Sequence, residues 1–248
     1  MSLRWRILAT LGLAVALLSV AVNAGPRGTR RGNQSISTFA KSKRLIAKIF
    51  AQRRQTFYCG CNFDASGTVN WRGCGYKPRT NPKRARRMEV EHVVPAHAFG
   101  HGFAAWRDGH ASCVHKGKRY KGRKCALKVS SEFRLMEADL FNLQPAVGEI
   151  NGNRSNYSMD ELPGEKRAYG RCDVEIRERK IEPRPKIRGD IARTYMYMNW
   201  AYPGRGIIGS KRAKLFKRWS AQDPVDRPER NRVRTIEKIQ GNKNPFVP

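Results

Sequence analysis

The chain has 248 residues and carries 50 Lys and Arg against 20 Asp and Glu, a formal charge of +30. Such an excess points to a polyanionic partner, nucleic acid first and anionic membranes or polymers second, because each neutralised phosphate releases counterions and the summed field acts at long range. The length suits one domain, no Ser/Gly linker divides it, and past the N-terminus no apolar run approaches the ~20 residues of a membrane-spanning helix.

Met1 to Arg6 is a positive start, Ile7 to Val22 is apolar, and Val22-Asn23-Ala24 has small residues at the spacing that signal peptidase reads. Residues 1–24 are therefore expected to be a signal peptide, and its loss, with Arg4 and Arg6, would leave 224 residues at +28 in the periplasm or outside the cell. Residues 25–36 read as a flexible basic lead. Ser37 is a suitable N-cap for a helix in which Phe39, Ile46, Ile49 and Phe50 recur at helical spacing, with Lys41, Lys43, Arg44 and Lys48 between them. No acidic residue precedes Asp64, so this front section, those four cations above all, is a candidate track for phosphates.

Between Thr56 and Tyr76 the Gly, Asn and Cys content predicts short strands and turns. The six cysteines, an even number in an exported chain, favour three disulfides, with the pairing open. Zinc is the competing use, since His110 to His115 gathers soft ligands around Cys113, but Cys59-Gly60-Cys61 lacks the two-residue gap of zinc knuckles.

Chemistry concentrates in two strings, Glu91-His92-Val93-Val94-Pro95-Ala96 and Asp139-Leu140-Phe141-Asn142-Leu143-Gln144-Pro145. A carboxylate and an amide oxygen suit a hard cation that keeps several waters, and an imidazole can take a proton from an attacking water. That combination is equipped to hydrolyse a phosphodiester. Neighbouring side chains on a regular strand face opposite ways, so Glu91 and His92 can share a site only where the strand ends or bends, and Pro95 suits a strand giving way to a loop. Ser130 or Ser131 caps a helix expected to run to about Asn142, with Phe133, Met136 and Leu140 as its buried stripe. Ile191 to Met198 predicts a core helix and Lys211 to Trp219 a basic amphipathic one.

Those strings, with Thr56-Phe57-Tyr58-Cys59-Gly60-Cys61, Cys74-Gly75-Tyr76, Met136-Glu137-Ala138-Asp139, Gly148 to Asn156, Ile191 to Tyr195 and Gly241 to Phe246, resemble the bacterial endonuclease I family, collinearly from about Phe39 onward. The resemblance implies an α+β fold, one mixed α/β domain over residues 37–248, stapled by disulfides and built around a ββα-metal (His-Me) finger. It implies a monomeric, metal-dependent endonuclease that cuts DNA, and RNA as well in some members, with little sequence preference and 5′-phosphate products. Glu91 and Asn142 would hold Mg2+, with Mn2+ as an alternative ion, and His92 would be the general base. Arg123, in Gly122-Arg123-Lys124-Cys125, would steady charge on the phosphate. Because residues 110–121 look inserted, Arg107 is the alternative for that role. Asn151 and Arg154 would support the site. The implied disulfides are Cys113 with Cys125, Cys61 with Cys74 and Cys59 with Cys172. A catalytically silent, basic nucleic-acid-binding protein on the same scaffold is the alternative reading.

Overall fold

The computed structural model describes residues 31–164 and 166–248; the expected signal peptide and the start of the basic lead lie outside the described residues. The end of that lead is anchored. Asn33 is fully buried, donating through its side chain to the carbonyls of Ile36 (2.6 Å) and Leu135 (2.8 Å) and through its backbone to the Tyr202 hydroxyl (2.9 Å). Ile36 is buried beside it.

Helix α1 spans Phe39–Ile49 and starts one residue later than expected, because Thr38 keeps an extended backbone and its Oγ1 accepts from the Lys41 amide. Ile46 is its buried apolar anchor, and the Ser42 hydroxyl donates to the Ala138 carbonyl at 2.6 Å. The four cations of the expected track lie on its exposed side.

The cysteine-rich stretch that follows forms isolated bridges, such as Gln55 with Asn62 and Tyr76 with Gly170. Cys61–Cys74 and Cys59–Cys172 cross-link it, and Cys113–Cys125 closes the third pair, so all three implied disulfides are present and no described cysteine is free.

A short helix α2 (Pro82–Ala85), capped by Asn81, leads into strand β1 (Met88–His92). Helices α3 (Ala96–Gly100) and α4 (Ala104–Arg107) precede an exposed hairpin, β2 (Val114–His115) with β3 (Lys118–Arg119). Then come α5 (Arg123–Val129) and α6 (Ser131–Glu137), the latter capped by the Ser130 hydroxyl.

The helix expected to reach Asn142 instead stops at Glu137. Asp139 adopts an extended backbone and caps a separate 3-10 turn over Leu140–Asn142. Its buried carboxylate accepts from Tyr197, Tyr202 and Gln240, three donors from distant chain that an uninterrupted helix would not present it to. Phe133, Met136 and Leu140 are nevertheless all fully buried.

Strand β4 (Leu143–Val147) then pairs antiparallel with β1, placing Gln144 opposite Glu91 and Leu143 opposite His92, and helix α7 (Gly148–Arg154) follows without a loop. Gly148 is needed there, since a Cβ would stand 2.7 Å from the Arg84 carbonyl and 2.8 Å from Glu89. A three-stranded sheet of β5 (Ser158–Met159), β6 (Val174–Arg177) and β7 (Lys180–Pro183) has the order β5-β7-β6.

Helices α8 (Arg188–Ala201) and α9 (Ser210–Gln222) contain the two later helices read from sequence. Helix α10 (Arg227–Gln240) was not foreseen, although Asp226 as cap, Pro228 in its first turn and Gly241 in the left-handed region at its end mark both limits. Its many charges mask the buried Val233 and Ile236. The result is a mixed α/β fold with small sheets, and no described helix is long and apolar enough to cross a membrane.

Candidate active site

The β1–β4 pair and α7 enclose one side of a cavity of about 530 Å³ whose wall includes Glu89, Glu91, His92, Arg123, Asn151 and Arg154. Alternation along β1 puts Glu89 and Glu91 on one face. His92, the last residue of the strand, lines the same cavity.

Glu91 is buried and its Oε1 accepts from the Tyr58 hydroxyl at 2.9 Å and from Arg154 Nη1 at 2.8 Å. Arg154, equally buried, also donates to the carbonyls of His92 and Val93 at 2.7 Å each. It therefore fixes both the carboxylate and the backbone where the strand ends. Burial raises the Glu91 carboxyl above its ordinary value, with Arg154 and the Tyr58 hydroxyl acting in the opposite direction. For Arg154, burial lowers the pKa, but Glu91 and the nearby tyrosines more than offset it and the guanidinium stays charged.

His92 packs its ring 4.6 Å from that of Phe39, and its Nε2 lies 2.8 Å from the Glu137 carbonyl oxygen. A carbonyl can only accept, so Nε2 carries the hydrogen and Nδ1 holds the free lone pair. Burial pushes the imidazole down to about 3, with the charges of Arg123 and Arg154 acting the same way and the carbonyl bond opposing them. The ring is neutral across the physiological range.

Arg123 opens α5, is exposed, and gives its Nε to Glu137 Oε1 at 2.5 Å. Glu137 thus holds His92 by its main chain and Arg123 by its side chain. Arg107 is elsewhere, donating to the His101 carbonyl at 2.6 Å and outside the cavity wall. Of the two arginines weighed for the phosphate, the fold brings Arg123 to His92.

Asn142 is not at this wall, and its expected role as a metal ligand is corrected. It is fully buried, its Oδ1 accepts from the Val94 amide at 2.7 Å and its Nδ2 donates to the Val94 carbonyl at 2.9 Å. The amide is spent on holding the loop after β1. Asn151, half-buried on α7, does face the cavity, and its Nδ2 donates to Glu89 Oε2 at 2.9 Å, which turns the amide so that Oδ1 remains available. Lys43 lines the cavity as well, whereas Lys41, Arg44 and Lys48 do not.

Sequence reasoning missed Tyr58, Glu89 and Glu137 as members of the site. Tyr58 and Glu137 lay inside quoted strings, but nothing in a linear pattern says that a tyrosine will meet Glu91 or that a glutamate will serve two partners.

A neutral histidine, an exposed arginine and oxygen donors around one cavity, on a strongly basic chain, define a hydrolase of the nuclease class. The comparisons narrow this further. A family model for endonuclease I matches residues 40–248. A periplasmic deoxyribonuclease of Aeromonas hydrophila is 42% identical over 221 residues, covering 86% of each chain. Endonuclease-1 of Buchnera aphidicola is 40% identical over 219 residues, covering 86% of this chain and 82% of its own. An extracellular ribonuclease of Bacillus subtilis is 32% identical over 127 residues, 44% of this chain and 43% of its own. The chain belongs to the endonuclease I family.

Proposed function

We propose that this protein is an exported endonuclease that hydrolyses DNA phosphodiesters with little sequence preference, using His92 as general base and a divalent ion held by Glu91 and Asn151. The observation that carries the reading is the His92 ring, whose Nε2 is tied to the Glu137 carbonyl while Nδ1 is left to the cavity that Glu91, Arg123 and Asn151 share. Export rests on the expected signal peptide over residues 1–24, on the disulfides and on relatives named periplasmic or extracellular.

The donor set fits Mg2+ or a similar hard ion. Both hydrogen bonds to Glu91 fall on Oε1, which leaves Oε2 as a ligand, and Asn151 offers Oδ1; two protein oxygens suit an ion that keeps several waters. Held there by Glu91 and Asn151, such an ion would supply Lewis-acid stabilisation of the charge that builds on the phosphate and the leaving 3′-oxygen. The chain's own groups do the rest. Nδ1 of His92 removes a proton from water as its oxygen attacks phosphorus, and the P–O3′ bond breaks, its electron pair leaving on O3′, which takes a proton from water; the products are a 5′-phosphate and a 3′-hydroxyl. Arg123, anchored through Nε, has its terminal nitrogens for the non-bridging oxygens as charge builds. Arg154 holds Glu91 and the strand end throughout. In this reading β1, β4 and α7 form a ββα-metal finger.

The test is plasmid DNA with Mg2+, with and without chelator, beside an RNA of matched length. Chelator-sensitive nicking of DNA supports the proposal, and binding without cleavage would favour the silent scaffold. RNA is a second substrate to compare, prompted by the ribonuclease that matches over under half of this chain.

A further inference from the structure

Three residues separate helix α3 from the strand that carries His92. His97, in its first turn, and His101, the residue that ends it, are four apart, so their side chains stand on one face. Their Nε2 atoms are 3.1 Å apart and the rings meet edge-on, centroids 4.4 Å apart. Both residues are exposed, and the Trp106 ring packs 6.1 Å from each. The His101 carbonyl is fixed by Arg107, so the pair sits on backbone held at its end.

That separation has a chemical meaning. Two imidazole nitrogens bound to one ion at about 2.0–2.1 Å stand about 3 Å apart when they occupy adjacent coordination positions. Two histidines four apart on one helical face are also a spacing used to chelate zinc. We propose that His97 and His101 form a second metal site, apart from the cavity, for borderline divalent ions of the Zn2+, Ni2+ and Cu2+ class and not for Mg2+.

Imidazole nitrogen suits those ions, whereas Mg2+ takes oxygen. No group of three or more His, Cys, Asp or Glu gathers among the described residues, so the pair supplies two ligands and water the remainder. Such an ion exchanges readily, and Cu2+ is the tightest of the series. Without an ion, one Nε2 donates its hydrogen to the other. On binding, the donor ring carries that hydrogen at Nδ1 instead and frees Nε2, with no net loss of a proton. An ion there ties the two ends of α3 together, next to Pro95 and Ala96 of the cavity wall.

The experiment is calorimetric titration of the full exported chain with Cu2+, and separately with Ni2+, in excess Mg2+. One equivalent should bind, and that equivalent should be lost in His97→Ala and again in His101→Ala, while Glu91→Ala, His110→Ala and His115→Ala retain it. The Cu2+ complex should show nitrogen hyperfine structure from two imidazoles. Melting curves and Mg2+-dependent cleavage by His97→Ala, expected at the parent level, establish that the variant is folded. Full affinity in both pair variants, or loss of the ion in Glu91→Ala or in either other histidine variant, would overturn the site.

Discussion

His92 and Glu137 meet through a side chain and a backbone: the ring's Nε2 donates to the glutamate's carbonyl at 2.8 Å. The bond orients the ring without depending on the identity of residue 137. The carboxylate of Glu137 is free to do something else, and it holds Arg123.

His92→Ala should lower turnover by about 10²- to 10⁴-fold, the range for positioned proton transfer, with DNA binding retained. Single-turnover cleavage and a melting curve check both halves. Parent-level turnover in a folded variant would remove the general-base assignment.

Glu137→Gln should separate two roles. The carbonyl to His92 survives, while the charged contact to Arg123 is weakened, so kcat should fall by about ten- to a hundredfold, as misplacement of a catalytic group does. The Mg2+ requirement should stay put. A rise in that requirement instead would mean that Glu137 acts on the ion.

Asn151→Ala and Asn142→Ala should part company. The first should raise the Mg2+ concentration needed for activity with little change in melting temperature. The second should cost about 1–3 kcal/mol of stability through the unpaired Val94 backbone, with metal affinity unchanged once folded. Calorimetric Mg2+ titration beside thermal melts reads both, and equal metal affinity for Asn151→Ala and the parent would sink the proposed ligand set.

Reduction should lower the melting temperature. Cys59–Cys172 spans 113 residues, and cross-links over loops as short as the other two are worth about 3 kcal/mol each on a chain-entropy account. Intact-mass measurement of the exported protein should show three disulfides, and free thiols under oxidising conditions would contradict the pairing.

Binding of His92→Ala protein to two unrelated duplexes across a salt series should be steep and alike for both, at about −0.9 in log K per log salt for each phosphate neutralised. Charge reversal at Lys41, Arg44 and Lys48 should flatten the slope and leave turnover at saturating DNA near the parent value, whereas Lys43 lines the cavity and its reversal should lower turnover too. A shallow slope in the parent would mean that this charge serves something other than phosphates.

What the sequence made legible was local. Glu91 and His92 stand side by side, so one string displays both, and Pro95 announced that the strand ends there. Asn142 and Asn151 look alike on paper; what separates them is that Val94 folds back onto one amide and Glu89 turns the other, contacts made across 48 and 62 residues. The helix break at Asp139 was hidden for a similar reason, since its cause is three donors that arrive from α8, α10 and the residue just past α8. In α10 the caps were readable, but arginines and glutamates outnumber the few apolar residues that anchor it.

Asn33 gives the exported chain a boundary. Its side chain donates to the Leu135 carbonyl within α6 and its backbone amide to the Asp139 carboxylate just past that helix, and Ser35 beside it donates to the Gln240 carbonyl, so this strip is a seam joining early and late parts of the chain. Arg31 already belongs to that seam: its carbonyl accepts from the Asn242 side chain at 3.0 Å and its guanidinium lies 5.2 Å from the centre of the Trp200 ring. Proteolysis in the surroundings of a secreted enzyme that reaches Arg31 therefore begins to part early chain from late, and loss of Asn33 as well would take a donor from the Asp139 carboxylate and from the Leu135 carbonyl and loosen the turn that feeds β4.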